Sequence, residues 1–243
     1  MNKVCFVGGG NMANAMLSGL RRQQPTLSCH VIEPFALARE RLASLGVTVH
    51  ESACRDAVQG ADAVVLAVKP QVLREACAAL RPHLTGELIV SIAAGARIAS
   101  IARWLGADSG AARIVRTMPN TPALIGQGIT GLYAPEALAE ADVATATALM
   151  RSTGAVVRVT DEAMIDAVTA VSGSGPAYVF HWIESMLAAA KGVGFDDADA
   201  RTLVLATLKG ATALAEASDE SPAVLRERVT SKGGTTAAAL AVI

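Results

Sequence analysis

The run Val7-Gly8-Gly9-Gly10-Asn11-Met12-Ala13 has the residue types and spacing that hold a dinucleotide's pyrophosphate. Gly8 permits a sharp turn, Gly10 lets backbone approach the phosphates, and Ala13 takes the third small position, where helix packs on strand. A helix starting near Asn11, with Met12 in its first turn, offers unpaired N–H groups to an anion. Small-residue turns also link strands to helices in proteins that bind no nucleotide, so the motif needs its surroundings. Those include Cys29-His30-Val31-Ile32, which reads as a second strand ending at Glu33. A carboxylate about twenty residues past the glycines accepts the adenosine ribose hydroxyls and repels a 2′-phosphate, which leans toward NADH. The plainer reading is that Glu33 begins the turn at Pro34, and Arg39 or Arg41 could still serve a phosphate.

Three further turns could surround a nicotinamide: Ala67-Val68-Lys69-Pro70, Ala93-Ala94-Gly95 and Met118-Pro119-Asn120-Thr121-Pro122. Each follows a strand-like segment, and open α/β sheets bind ligands outside the carboxyl ends of their strands. Lys69 alone reads more often as a solvated surface lysine, while its place at a strand end favours a site, and Asn120 reads as either a ligand to a cofactor amide or a former of its own turn. Near the other end, Thr230-Ser231-Lys232-Gly233-Gly234-Thr235-Thr236 carries hydroxyls, a cation and two permissive glycines, a plausible carboxylate cradle. Its competing reading is simple N-capping by Ser231 or Thr235. Ser172-Gly173-Ser174-Gly175-Pro176 either bends the chain into a helix or passes close to substrate. Cys5, Cys29, Cys54 and Cys77 have no paired spacing and read as reduced thiols. His30, His50, His83 and His181 have no ligand spacing, so no metal site is expected.

The elements that position these turns alternate. After Glu33, the segments Leu37 to Leu45, Val47 to Val49, Ala61 to Val68, Val72 to Leu80 and Leu88 to Ala93 switch between helical and strand-like character. Ala63 to Val68 and Leu88 to Ile92 are apolar on both faces, as central parallel strands under helices must be. Arg113 to Arg116, Gly128 to Tyr133 and Ala155 to Val159 add strands, with Glu136 to Met150 helical between the last two. Beyond Asp161, Met164 to Ala170, Ala177 to Val193, Ala198 to Ala217 and Ala223 to Val229 are helical. The expected fold is α/β: a Rossmann-like doubly wound sheet over residues 1–160 and a second, all-helical C-terminal domain over residues 161–243. The apolar helix faces fit either a bundle within one chain or contacts with a second subunit.

Composition narrows the function classes. A formal net charge of −1 and 3% aromatic residues leave no basic or base-stacking surface, so no nucleic-acid partner is expected. Hydrophobic residues make up 52% of the chain, yet no apolar run reaches the about 18 residues of a membrane span. Met1-Asn2-Lys3 passes directly into the first strand without a signal-peptide pattern, so the cytoplasm is the expected compartment.

Taken together, Gly8-Gly9-Gly10-Asn11-Met12-Ala13, Ala67-Val68-Lys69-Pro70, Met118-Pro119-Asn120-Thr121-Pro122, Ser172-Gly173-Ser174-Gly175-Pro176-Ala177 and Thr230-Ser231-x-Gly233-Gly234-Thr235-Thr236 resemble, in order, the motifs of the pyrroline-5-carboxylate reductase family. The resemblance implies reduction of 1-pyrroline-5-carboxylate to L-proline by hydride from NAD(P)H. It also implies homodimers, known in larger rings, whose active sites combine a cofactor domain with partner helices. Val229, Ser231, Gly233, Gly234, Thr235 and Thr236 would surround the substrate, with Thr236 at the ring nitrogen, while Lys69 and Asn120 lie on the nicotinamide side. The chain departs from the family at Lys232, commonly proline, at Cys54, often an asparagine near the adenosine ribose, and at Glu33-Pro34, which lacks a basic residue for a 2′-phosphate. Family members also continue past Ala241-Val242-Ile243 through more helix. Two alternatives follow: a related imine reductase for another cyclic imino acid, and a non-catalytic nucleotide-binding regulatory dimer.

Overall fold

The computed structural model describes residues 1–107 and 112–242. The chain divides into two compact units, Met1–Pro176 and Ala177–Ile243.

In the first unit, β1 (Lys3–Val7) leads through the glycine turn into α1 (Asn11–Gln23), then β2 (Ser28–Ile32), α2 (Ala36–Ala43), β3 (Thr48–His50) and the short α3 (Arg55–Val58). The chain crosses over to β4 (Ala63–Leu66), α4 (Pro70–Leu80), β5 (Leu88–Ser91), α5 (Ile98–Leu105) and β6 (Ile114–Met118). These six strands are parallel, in the order β3-β2-β1-β4-β5-β6. The order reverses between β1 and β4, which is where a doubly wound sheet opens a ligand crevice. Alternate residues of each strand feed two separate cores. Val4, Phe6, Val31, Val65, Val90 and Val115 pack with α1 residues Met16, Leu17 and Leu20. Cys5, Val7, Ile32, Val64, Leu66 and Ile89 pack with Leu73, Cys77 and Leu80 of α4 and Ile101 of α5. Apolar runs on both strand faces therefore have a helix layer on each side.

Two more strands extend the sheet to eight: β7 (Gly128–Tyr133), antiparallel to β6, and β8 (Gly154–Val159), parallel to β7. The short 3-10 turn Thr121–Ile125 cannot carry a crossover, so β7 reverses direction; α6 (Glu140–Arg151) provides one, so β8 runs parallel to β7. This reversal is a difference from a uniformly wound sheet. Helix α6 starts at Glu140 rather than Glu136 because Pro135 opens a turn, in which Leu138 N donates to Pro135 O at 3.0 Å. The unit ends with α7 (Met164–Val168), which continues into one π-helical turn, Thr169–Gly173.

Helix α8 (Gly175–Gly192) leads into the second unit, followed by α9 (Asp197–Ala217), α10 (Pro222–Arg228) and α11 (Thr235–Leu240). Asp196 caps α9 by accepting Asp199 N at 2.8 Å, and Ser221 caps α10 by accepting Val224 N. Among the described residues no strand follows β8, and no helix is long and apolar enough to cross a membrane.

Candidate active site

The glycine turn joins the carboxyl ends of three strands. Gly8 has φ +97°, and a Cβ there would lie 2.9 Å from Ala67 O, so both conformation and space call for glycine. Gly8 N donates to Ile32 O at 2.9 Å and Ala67 N donates to Val7 O at 2.8 Å, lacing β1 to its neighbours on either side. Gly10 is the N-cap of α1, with no side-chain cap and open space where a Cβ would stand. The first intrahelical bond runs from Asn14 N to Gly10 O, so the N–H groups of Asn11, Met12 and Ala13 are not consumed by the helix. An opening beside unfilled donors at a helix N-terminus fits a pyrophosphate.

Glu33 follows β2 and is buried, 7% exposed. Its Oε2 accepts Gly9 N at 2.8 Å and its Oε1 accepts Phe35 N at 3.0 Å, so one carboxylate braces both the glycine turn and the turn at Pro34. Arg39 Nη1 donates to the carbonyls of Glu33 and Pro34, and Arg41 Nη2 to Gly9 O at 3.4 Å.

Because the first six strands are parallel, the other turns expected around the cofactor emerge at the same sheet edge. Lys69 is the exposed N-cap residue of α4, beside half-buried Ala67 and Val68, with Pro70 in the first turn. After β5, Ala93 is buried, Ala94 half-buried and Gly95 exposed at φ +73°. Ser91 Oγ accepts Ala93 N, and Ser91 O accepts the hydroxyl of Thr117, joining this turn to β6. Pro119 and Asn120 are buried. Asn120 was open to two readings, a cofactor ligand or a bond to its own turn; its amide instead bonds backbone elsewhere, Nδ2 donating to Ser172 O at 3.1 Å and Oδ1 accepting Ile129 N at 2.9 Å. The amide thus clamps the β6 turn to the π-helical turn.

A buried guanidinium supports the same junction and escaped sequence reasoning. Arg116, 1% exposed within β6, donates through Nη2 to Asp166 Oδ1 at 2.7 Å and reaches Glu162 Oε1 at 3.5 Å, while its Nε has no partner. Glu162 also accepts Ile98 N at the start of α5. The available signal was an arginine in an apolar strand run together with two acids one helical turn apart.

In the second unit, Val229 is 66% exposed, and Ser231, Lys232, Gly233 and Thr235 are exposed. Gly233 turns at φ +74°, and Gly234 N donates to Ser231 O at 3.0 Å. The N-cap of α11 is Gly234, with no side-chain cap bond, which corrects the reading of Ser231 or Thr235 as caps. Thr236, half-buried, sits in the first turn of α11.

The histidines at positions 30 and 50 are not solitary. Residue Ile32 pairs with His50 across β2 and β3, which brings His30 Nδ1 to 3.0 Å from His50 Nε2 with the rings stacked, and Cys54 Sγ lies 3.3 Å from His50 Nδ1. Burial, with the Lys3 charge nearby, holds both imidazoles below the usual histidine range. Among the described residues no group of His, Cys, Asp or Glu is arranged to hold a metal ion. All four cysteines are free; burial pushes the Cys5 thiol up to about 12 and that of Cys77 to about 11.

Comparison with known proteins gives two family matches: residues 162–243 to "Pyrroline-5-carboxylate reductase dimerisation" and residues 3–95 to "NADP oxidoreductase coenzyme F420-dependent". The chain is 45% identical to the pyrroline-5-carboxylate reductase of Pseudomonas aeruginosa, covering 98% of this chain and 87% of the relative. It is 37% identical to pyrroline-5-carboxylate reductase 2 of Bacillus subtilis, covering 99% and 86%. Among solved structures, a pyrroline-5-carboxylate reductase from Coxiella burnetii superimposes with a TM-score of 0.87 at 36% identity, covering 98% of this chain and 88% of that one. The Plasmodium falciparum pyrroline carboxylate reductase, solved with NADP bound, gives 0.83 at 27% identity, covering 99% and 88%.

Proposed function

The chain belongs to the pyrroline-5-carboxylate reductase family, and from that premise we propose that it reduces 1-pyrroline-5-carboxylate to L-proline with NADH or NADPH, the last step of proline biosynthesis. The observation that carries the reading is the uncapped glycine turn at the switch point of the sheet, in a chain with this ancestry. Bound NAD(P)H supplies the hydride that reduces the C=N bond. The chain's own residues bind and orient. Gly8, Gly10, Asn11 and Met12 hold the pyrophosphate and Glu33 the adenosine end. Ala67, Val68, Lys69, Pro70, Ala93, Ala94, Gly95 and Pro119 shape the nicotinamide end, where Asn120 acts by fixing its turn.

On the substrate side, Ser231 and the backbone of Gly233, Gly234 and Thr235 would hold the carboxylate, Val229 would pack against the ring, and Thr236 would meet the ring nitrogen. Protonation of that nitrogen makes the adjacent carbon more electrophilic, and the Thr236 hydroxyl holds it in register, so catalysis is positioning and electrostatics. We keep the domain boundary between residues 160 and 161, supported by the dimerisation match that begins at residue 162, although the compact units of the fold divide later, after Pro176. The assembly is a homodimer, and rings of dimers are a further step of the proposal. A cytoplasmic setting is supported by the four free thiols.

The test follows NADH and NADPH absorbance with pyrroline-5-carboxylate. Substrate-dependent oxidation is expected. Turnover only with other cyclic imines would favour a sister imine reductase, and cofactor binding without any turnover a regulatory dimer.

A further inference from the structure

We infer that Glu33 makes this protein select NADH over NADPH, because its carboxylate is locked at the place where a 2′-phosphate would have to sit. The inference rests on the function proposed above and concerns the adenosine end of that same site. Glu33 ends β2 beside the glycine turn, the position from which a carboxylate reaches the adenosine ribose. Its two oxygens each accept one backbone N–H, from Gly9 at 2.8 Å and from Phe35 at 3.0 Å. A carboxylate has about four acceptor sites, so two remain for the ribose hydroxyls, which are donors. A phosphate has no proton to offer there at neutral pH, and the repulsion is not relieved by movement. Swinging Glu33 away would orphan the Gly9 N–H inside the turn, and Leu42 and Glu33 already crowd the space over Gly9.

The two nearby guanidinium groups already contact backbone carbonyls. Arg39 Nη1 is engaged by the carbonyls of Glu33 and Pro34, with its Nη2 3.7 Å from Glu51. Arg41 leans on Gly9 O. Between Glu33 and Arg39 the chain reads Pro34-Phe35-Ala36-Leu37-Ala38, without a hydroxyl or cation. Its bulky members, Phe35 at 73% exposed and Leu37 at 82%, offer apolar surface suited to an adenine ring and its uncharged ribose.

Isothermal titration of the intact protein with NADH and with NADPH, without substrate, tests the inference apart from turnover. NADPH is expected to bind at least about tenfold more weakly, with the gap narrowing as salt is raised and as the pH falls below about 6, where the phosphate gains a proton. Glu33→Gln, which keeps the shape and removes the charge, should bring the ratio toward one, whereas Arg41→Ala should leave it in place. A wild-type ratio below about threefold, or a ratio that survives Glu33→Gln, overturns the inference while the reductase reading stands. Failure of both nucleotides to bind overturns the reading along with it. Since the wild-type ratio is informative by itself, a Glu33→Gln protein that fails to fold does not rescue the idea.

Discussion

At the scale of single residues, Thr236 is the side chain on which the proposed chemistry leans most. Thr236→Val keeps the shape and removes the hydroxyl, so kcat should fall about 100-fold or more while cofactor affinity stays constant, and Thr236→Ser should restore most of the rate. Equal rates in the three proteins would remove Thr236 from the reaction. The stacked pair of His30 and His50 makes a separate prediction. Both imidazoles titrate below their unfolded value, held there first by burial, with Lys3 opposing and Asp56 favouring the charge. The unfolded chain therefore binds more protons, so the stability they contribute is complete above about pH 6.5 and declines as the pH falls below it. Urea midpoints between pH 7 and pH 5 should drop less steeply in His50→Gln than in wild type. Neither partner was legible in the sequence as half of a pair, since their meeting depends on the register of β2 against β3 rather than on spacing along the chain.

Among the elements, the junction of β6, α7 and the π-helical turn depends on Arg116. Arg116→Met should destabilise the protein by about 1–3 kcal/mol in denaturant titrations, at the lower side of values for a broken buried pair, because the Asp166 side chain is 54% exposed and stays hydrated once alone. An unchanged midpoint would mean that the ion pairs contribute nothing. The strands were legible wherever they are apolar on both faces, as Ala63–Leu66 and Leu88–Ser91 are, since only a doubly covered sheet tolerates that pattern. The reversal of β7 was not, because direction is decided by what the connecting segment can span and not by the strand's own residues. The π-helical turn at Thr169–Gly173 escaped for a different reason: its residues carry ordinary helical periodicity, and the side chain that bonds it, Asn120 donating to Ser172 O, comes from a turn about fifty residues earlier in the chain. The glycine turn was readable because its geometry is local, but the internal bracing of Glu33 was not.

For the molecule as a whole, the two units differ in how they bury apolar surface. The first has a core on each side of its sheet. Within the second, Ala200 and Val204 are the buried hydrophobic residues among those described, while Tyr178, Val179, Phe180 and Trp182 of α8 are 43–62% exposed. Successive residues of a helix point about 100° apart, so these four side chains look out in several directions, and a partner touching one stripe could not cover them. Surface of that kind fits the dimerisation match over residues 162–243. Sedimentation should show a dimer, and Phe180→Asp should shift it toward monomer; a wild-type monomer at micromolar concentration would refute the assembly. The shallow interior of the helical unit has a consequence for how long the catalyst lasts. If two copies must supply each other's missing hydrophobic filling, melting temperature climbs with protein concentration, and dilution alone becomes a way to inactivate the enzyme.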